Sequence, residues 1–183
     1  MHENEVWQIF ASNGEPILGS GWDAALDNPE VSGSDKIVGA AMVFLYRHGE
    51  NGLELLWQKR SEEVTFPGAF DISAAGHINL GESPVEATIR EAREEIGADI
   101  TAEDLCAVMV RMVNRNRFAW LYLVDFTGRE ENFRFDDQEV SEVRWVPFFK
   151  TEEFRMKYAK PSLREDDLTF ECIKDWFLQH GDL

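Results

Sequence analysis

A chain of 183 residues, 44% hydrophobic and 29% charged, is long enough to form one domain with a sizeable core. Its formal net charge of −17 excludes nucleic acid and anionic membrane surfaces as favourable partners, whereas small phosphorylated substrates stay compatible once cations are bound. The longest apolar runs fall short of the roughly 20 residues of a membrane span, and the N-terminal MHENEVWQ lacks the apolar segment of a secretory signal, so we predict a cytoplasmic protein.

The two cysteines, Cys106 and Cys172, lie far apart in the sequence, each among apolar residues. This placement favours two buried, reduced thiols over a disulfide. Neither cysteine belongs to a Cys-x-x-Cys pair, so no zinc site is indicated.

The first predicted elements are a hairpin, a loop and two strands. Short apolar stretches flank Asn13-Gly14 within residues 6–17, which predicts a β-hairpin. Residues 20–34 are rich in Gly, Asp, Asn and Ser, and this composition is typical of a loop. The largely apolar residues 37–46 predict a buried strand, and residues 53–58 predict a second strand.

The clearest element is a helix that begins after Ser83 and ends at Gly97. Ser83 is suited to cap the helix N-terminus, Pro84 fits the first helical position, and Glu86 completes a capping box. Gly97 can adopt the left-handed conformation that ends a helix. One apolar face recurs at helical spacing and consists of Val85, Ile89, Ala92 and Ile96.

The rest of the chain predicts further strands and two helices. Strands are expected at residues 72–75, 105–113, 118–126 and 143–146. Residues 151–158 predict a short helix, and residues 168–179 predict a helix whose apolar stripe packs on the core. Strands on both sides of one strong helix, followed by a terminal helix, indicate a mixed α/β sandwich of the α+β class. The strand order stays open.

Four glutamates within or just before the strong helix raise the question of a cation site: Glu82, Glu91, Glu94 and Glu95. Because successive helical residues are about 100° apart, the last three point to one side. Like charges at this spacing, near the C-terminal end of the helix dipole, destabilise a helix unless they are compensated. Arg90 can hold two carboxylates, and Mg²⁺ can offset the rest. Helix geometry alone leaves a solvated acidic face and a metal site equally open.

The spacing of these residues distinguishes the two alternatives. Gly76 is followed after five residues by Glu82, and after seven more by residues 90–97, REAREEIG. This pattern is similar to the Nudix box of the Nudix hydrolases, and all seven fixed positions are present. Ala92 and Ala98 stand where that family prefers larger aliphatic residues. The resemblance implies a Nudix-type α/β/α sandwich: a mixed sheet with the box helix and a C-terminal helix.

The resemblance also implies a domain organisation and a class of partner. Residues 1–183 would form a single Nudix domain, with a core at 35–150. Residues 1–34 would be an N-terminal hairpin and loop extension, and residues 151–183 a C-terminal helical segment. The expected partner is a small-molecule diphosphate substrate, without nucleic acid or membrane, and a homodimer stays open.

The resemblance implies a metal-dependent site. Mg²⁺ or Mn²⁺ would be bound by Glu91, Glu95 and Glu94, with Glu82 contributing through water or a further ion and the Ala75 carbonyl nearby. A separate set would support this site: Arg90 would orient the glutamates, Gly76 would permit the tight loop before the helix, and Gly97 would end it.

The implied reaction is hydrolysis of a diphosphate linked to another moiety. Metal ions neutralise phosphate oxygens and lower the pKa of a bound water, and a carboxylate then takes the proton of that water. The catalytic candidates are Glu91, Glu94 and Arg90, and the general base stays open among Glu91, Glu94, Glu139 and Glu142.

A narrower resemblance concerns the segment before the box. FPGAFDISAAGHINLGES resembles the branch related to isopentenyl-diphosphate isomerase. The protonating cysteine of that branch would fall at Ala75, and its acidic pair would align with Arg115 and Arg117. His77 keeps one possible metal-ligand position, although a lone histidine after glycine is more often a loop residue. Without the thiol and the acidic pair, isomerisation is the least favoured activity.

Basic residues near the predicted site are candidates for binding the substrate phosphates: Arg60, Lys59, Arg115 and Arg117. Solvated turn charge is the alternative interpretation. Five aromatic residues are candidates for stacking a base, with core packing as the alternative: Trp57, Phe66, Phe70, Trp120 and Trp145. The four glutamates favour a diphosphate hydrolase over a non-catalytic nucleotide-sensing module, and the missing thiol and acidic pair disfavour an isomerase.

Overall fold

The computed structural model describes residues 6–23, 37–50, 52–114, 116–136 and 138–183. Within these ranges the strands are β1 (Val6–Phe10), β2 (Pro16–Asp23), β3 (Ile37–Gly49), β4 (Gly52–Arg60), β5 (Phe70–Asp71), β6 (Ala74–His77), β7 (Cys106–Asn114), β8 (Arg117–Asp125) and β9 (Val140–Pro147). The α-helices are α1 (Pro84–Ile96), α2 (Thr151–Tyr158), α3 (Pro161–Arg164) and α4 (Asp167–His180). Two short 3₁₀ helices lie at Ala102–Asp104 and Phe148–Lys150.

Strand β3 organises the sheet. Along one edge it meets β1, β6 and β4 in succession, each antiparallel. Along the other edge it runs parallel to β8, which in turn pairs with β7. Strand β4 carries β9 and β5. The predicted mixed sheet is therefore confirmed, and its strand order is centred on β3.

Helices cover both faces of this sheet, which explains why β3 is apolar at successive positions and not only at alternate ones. Val43 and Leu45 belong to the core that packs against α1. Phe44 and Tyr46 belong to the core on the other face, which includes residues of α2, α3 and α4. The predicted α/β/α sandwich is confirmed.

The predicted N-terminal hairpin is formed by β1 and β2. Gly14 has a φ of 84° in its turn, and Asn13 Oδ1 accepts a hydrogen bond from the Glu15 N–H at 3.1 Å. Because β1 also pairs with β3, the hairpin extends the main sheet. Strand β2 runs to Asp23, so the prediction of a loop from residue 20 was wrong at its start. The rest of that predicted loop lies outside the described residues.

The predicted strand at residues 72–75 is replaced by β5 and β6, with a break at Ile72 and Ser73. The fully buried Ser73 hydroxyl donates to the Leu56 carbonyl at 2.6 Å and accepts from the Leu45 N–H at 2.9 Å. A side chain therefore satisfies two backbone groups at the point where the strand is interrupted.

The C-terminal segment contains the two predicted helices, α2 and α4, and the additional short helix α3. Arg155 of α2, only 2% exposed, joins them: its Nη1 donates to the Leu163 carbonyl at 2.9 Å and its Nη2 to Asp167 at 2.6 Å. Among the described residues, no helix is both long and apolar enough to cross a membrane.

Both cysteines are free thiols, as predicted, but the prediction that they are buried was wrong. Cys106 is exposed at the start of β7, and Cys172 is partly exposed on α4. For Cys106, apolar neighbours in sequence did not imply burial, because its strand β7 pairs with β8 alone among the described strands.

Candidate active site

The caps predicted for α1 are both present. Ser83 Oγ accepts from the Glu86 N–H at 3.2 Å, and the Glu86 carboxylate accepts from the Ser83 N–H at 2.8 Å. The hydrogen bond from the Ser83 backbone, followed by one from the Ser83 side chain, lowers the pKa of the Glu86 carboxyl. Gly97, with a φ of 66°, ends the helix in the left-handed conformation. Two defined ends fix the direction in which each glutamate of α1 points.

Arg90 gathers three of the four glutamates. Its Nε and Nη2 donate to the two oxygens of Glu82, at 2.9 and 3.0 Å. Its Nη1 donates to both Glu91 (2.7 Å) and Glu94 (3.0 Å). Glu86, four residues earlier, caps the helix instead of pairing with Arg90. A single guanidinium therefore sets the positions of three carboxylates.

This arrangement also perturbs Arg90 itself. Burial alone would lower the pKa of its guanidinium, but hydrogen bonds and charge interactions with Glu82 and Glu91 raise that pKa above its usual value. Arg90 is thus a permanent cation. Three carboxylates, those of Glu82, Glu91 and Glu94, share its one positive charge.

Glu95 is held by the sheet. It is 4% exposed, and its Oε2 accepts from the Ala75 N–H at 2.9 Å and from Gln58 Nε2 at 3.0 Å. Strands β4 and β6 therefore fix this carboxylate. Ala75, predicted to offer its carbonyl to a metal, contributes its N–H to Glu95 in this structure.

Gly76 lies against the carboxylate of Glu91. A Cβ added at Gly76 would overlap all three atoms of that carboxylate group. A side chain at the glycine predicted from the box spacing would therefore force the Glu91 carboxylate to move. The backbone angle φ of Gly76 is not in the left-handed region, so the backbone conformation does not itself require glycine.

Two observations fit a divalent cation at this site. Three carboxylates share the single positive charge of Arg90, and carboxylate oxygens are the ligands that Mg²⁺ prefers. In addition, the buried Gln58 Oε1, next to Glu95, has no hydrogen-bond partner among the described residues. Within that part of the chain no three acidic, histidine or cysteine side chains converge at metal-binding distance.

A cleft of about 490 Å³ lies beside the glutamates. Its acidic lining residues are Glu91, Glu94, Glu95, Glu139 and Asp166. Its basic lining residues are Arg60, Arg117 and Lys160. Asp166 forms an ion pair with Arg111, so the acidic side of the cleft is dominated by the glutamates of α1.

Of the four residues predicted to bind phosphate, the fold brings some to the cleft. Arg60 and Arg117 line the cleft. Lys59 is not one of its described lining residues; because neighbouring strand residues face opposite ways, it pairs with Glu142 at 3.7 Å instead. Arg115 lies outside the described residues. Lys160, which no sequence motif marked, lines the cleft from the α2–α3 connection.

His77 lies at the end of β6 and is a strand residue. Its ring stacks on Trp7 with centroids 3.7 Å apart, and its Nε2 lies 3.0 Å from Arg117 Nη2. The N-terminal hairpin therefore reaches the edge of the cleft through Trp7.

The general-base candidates are separated in the same way. Glu91, Glu94 and Glu139 line the cleft, whereas Glu142 is not among its described lining residues. A hydrogen bond from Arg144 is the main cause of a lowered pKa at Glu142, which weakens it as a proton acceptor.

Most of the aromatic candidates for base stacking lie within the structure. Trp57 and Phe70 are buried in the core on the α4 face. Trp120 and Trp145 pack partly buried against the α1 face. Phe66 differs, because it is 51% exposed and has a φ of 57°, an uncommon conformation for a bulky residue.

The fold and the cleft together define an α/β/α domain with an acidic helix beside basic side chains. A family profile described as the NUDIX domain matches residues 36–165, and the chain belongs to the Nudix family.

Three known proteins illustrate its similarity. Nudix hydrolase 3 of Arabidopsis thaliana is 33% identical in an alignment of 124 residues that covers 61% of this chain and 16% of that protein. A crystal structure from Deinococcus radiodurans has a TM-score of 0.65 at 24% identity, over 92% of this chain and 99% of that one. The NUDIX domain of Shewanella oneidensis NrtR, complexed with ADP ribose, has a TM-score of 0.60 at 16% identity, over 84% and 95% of the two chains. The two structures share the fold.

Proposed function

We propose that this chain is a Mg²⁺- or Mn²⁺-dependent pyrophosphohydrolase. Its substrate would be a nucleoside diphosphate derivative or a related organic diphosphate, cleaved at the phosphoric anhydride bond. The observation that supports this proposal is one cleft lined both by Glu91, Glu94 and Glu95 and by basic side chains. The chain spans only 16% of its Arabidopsis relative, so the activity is inferred from this site and from the family.

The residues of the chain divide the work of such a reaction. When bound, the metal ion neutralises phosphate oxygens and lowers the pKa of a water molecule. Glu91 and Glu95 are the main residues that would hold it, with Glu94 and Glu82 as further ligands. Arg90 holds the carboxylates of Glu82, Glu91 and Glu94 together, and strands β4 and β6 hold Glu95 in place. Arg60 and Arg117, which line the same cleft, would bind phosphate oxygens.

Proton removal from the attacking water needs a carboxylate at the cleft. Glu94 is the most exposed glutamate of α1, with 53% of its side chain accessible, and Glu139 comes from the loop before β9. Both are compatible with the role of general base, together with Glu91. Replacing each by glutamine and recording the pH dependence of kcat identifies the base, because its loss removes the acidic limb of the profile.

The hydrolase proposal is tested with a substrate panel. Nucleoside triphosphates, dinucleoside polyphosphates, NADH, ADP-ribose, nucleotide sugars and isoprenoid diphosphates are incubated with Mg²⁺, and phosphate is measured after a coupling phosphatase. We expect at least one substrate to be cleaved and Glu95→Gln to lower its turnover at least a hundredfold. Glu103→Gln, at an exposed position outside the cleft, is the matched control. Full activity of Glu95→Gln would exclude the proposed metal site.

A nucleotide-sensing module is the second candidate, since the related NUDIX domain of NrtR was crystallised with ADP ribose. A ligand that raises the melting temperature yet survives overnight incubation with Mn²⁺ would favour this alternative. Conversion of isopentenyl to dimethylallyl diphosphate would support an isomerase instead, although Ala75 supplies no thiol. A cytoplasmic location and a homodimer stay predictions, which fractionation and light scattering can test.

A further inference from the structure

Asp71 is a buried carboxylate that holds two cations at the cleft. Its side chain is 3% exposed, and its Oδ2 accepts from Arg60 Nη1 at 3.2 Å and from Lys160 Nζ at 2.5 Å. Its Oδ1 accepts from the Ile72 N–H at 2.9 Å. Two cations on one carboxylate leave an excess positive charge, in a chain whose net charge is −17. The net positive charge of this cluster of three side chains favours an anionic ligand.

Arg60 is fixed in place but keeps donors to offer. Its Nε donates to the Thr65 carbonyl at 2.6 Å, and its Nη2 donates to Thr65 Oγ1 at 3.3 Å. Together with the bond to Asp71, these contacts engage three of its five N–H groups among the described residues. Its side chain is 17% exposed, and it lines the cleft.

Lys160 is held in a similar way. Its ammonium has three N–H donors, and within the described ranges one of them is engaged, by Asp71. Its side chain is 23% exposed and also lines the cleft. The ion pair is not needed to attach this segment to the sheet, because the Lys160 N–H already donates to the Phe70 carbonyl at 2.9 Å.

We infer that Arg60 and Lys160, held by Asp71, form a subsite for one phosphoryl group of the substrate. This is the phosphoryl group that a metal ion bound by the glutamates of α1 would not neutralise. Held cations with remaining donors, at the edge of a cleft, are suited to charge-assisted bonds with phosphate oxygens. This inference rests on the proposed function, since it assigns the second half of a diphosphate to a residue outside the Nudix box. Lys160 is then a substrate-binding residue supplied by the C-terminal segment.

The test uses imidodiphosphate, a diphosphate analogue that resists hydrolysis, in calorimetric titrations with and without Mn²⁺. We expect Lys160→Met to weaken its binding about ten- to a hundredfold, the range for losing one charged hydrogen-bond partner. Lys160→Arg keeps the charge and the donors, and should stay within about threefold of the wild type. Lys157→Met is the matched control, because Lys157 is an exposed lysine of α2 outside the cleft.

Binding of Mn²⁺ alone, measured on the same proteins, separates this inference from the proposed function. The subsite predicts unchanged Mn²⁺ affinity in Lys160→Met. If Mn²⁺ does not bind the wild type but Lys160→Met still weakens imidodiphosphate, the hydrolase proposal fails and the anion subsite stands. If Lys160→Met binds imidodiphosphate as the wild type does, or the wild type does not bind it at all, the subsite is refuted. If Lys160→Met lowers the melting temperature but leaves the affinity for imidodiphosphate unchanged, the Lys160–Asp71 ion pair stabilises the fold and does not serve phosphate binding.

Discussion

Arg90→Met removes the cation around which the glutamates are arranged, and we expect it to destabilise the metal-free protein strongly. The substitution deletes two bonds to Glu82, whose side chain is 15% exposed, and one to Glu91, which is 12% exposed. Removing one partner of a buried ion pair costs roughly 3–5 kcal/mol. Because Arg90 is partly exposed, the cost of its removal should lie near the lower end of this range. The pair with the exposed Glu94 adds little to that cost. The free energy of unfolding should therefore fall by about 3 kcal/mol.

Urea denaturation in the presence of EDTA measures this loss directly. For a chain of this size, about 3 kcal/mol corresponds to a decrease in melting temperature of roughly 6–12 °C. Arg93→Met is the matched control on the same helix, because Arg93 is 65% exposed and lies 3.8 Å from the exposed Asp99. The control should lose about 0.5 kcal/mol or less. If Arg90→Met and Arg93→Met lose equal stability, Arg90 does not hold the carboxylates together.

Three further predictions concern single positions. Gly76→Ala should lower turnover of a good substrate by roughly a hundredfold, because the added Cβ would displace the Glu91 carboxylate. The circular dichroism spectrum should change little, and an unchanged kcat would contradict the prediction. Tyr46→Phe should make the stability measured by urea denaturation less sensitive to alkaline pH. Burial, with Asp125 and Asp182, raises the pKa of Tyr46 from 10.0 to about 12, so the unfolded chain loses this proton first and the stability that this phenol contributes is lost as the pH rises between those values. Gly97→Ala should lower the free energy of unfolding by about 1–2 kcal/mol, measured by urea denaturation, since φ is 66° and a Cβ would lie 3.0 Å from the Arg134 nitrogen.

The acidic part of the site was predictable because its geometry is local. Ser83 and Gly97 mark the ends of one helix, and helical spacing fixes which way its glutamates point. The contact of Arg90 with Glu94 is an i,i+4 pair that the sequence already indicates. The bonds from Gln58 and Ala75 to Glu95 were not predictable, because they depend on how β4 and β6 pack beside α1.

The basic part of the site could be predicted only in part. Arg60 and Lys59 are adjacent in sequence, but alternate residues of a strand face opposite sides, so only one of them lines the cleft. Predicting which one requires the register of β4 with β9, which the sequence does not reveal. Lys160 reaches the cleft because the connection between α2 and α3 meets β5 at an isolated bridge between Phe70 and Ala159. No periodicity or motif in residues 151–183 indicates that contact.

The same isolated bridge has a consequence for how such proteins diversify. The glutamates belong to a helix packed along the sheet, where substitutions disturb the core. The segment that carries Lys160 meets the sheet at the two-residue strand β5, through the Phe70–Ala159 bridge and the bonds of Lys160 to Phe70 and Asp71. Under the proposed function, changes in this segment would alter the substrate preference of a duplicated gene while the glutamates of α1 stay unaltered.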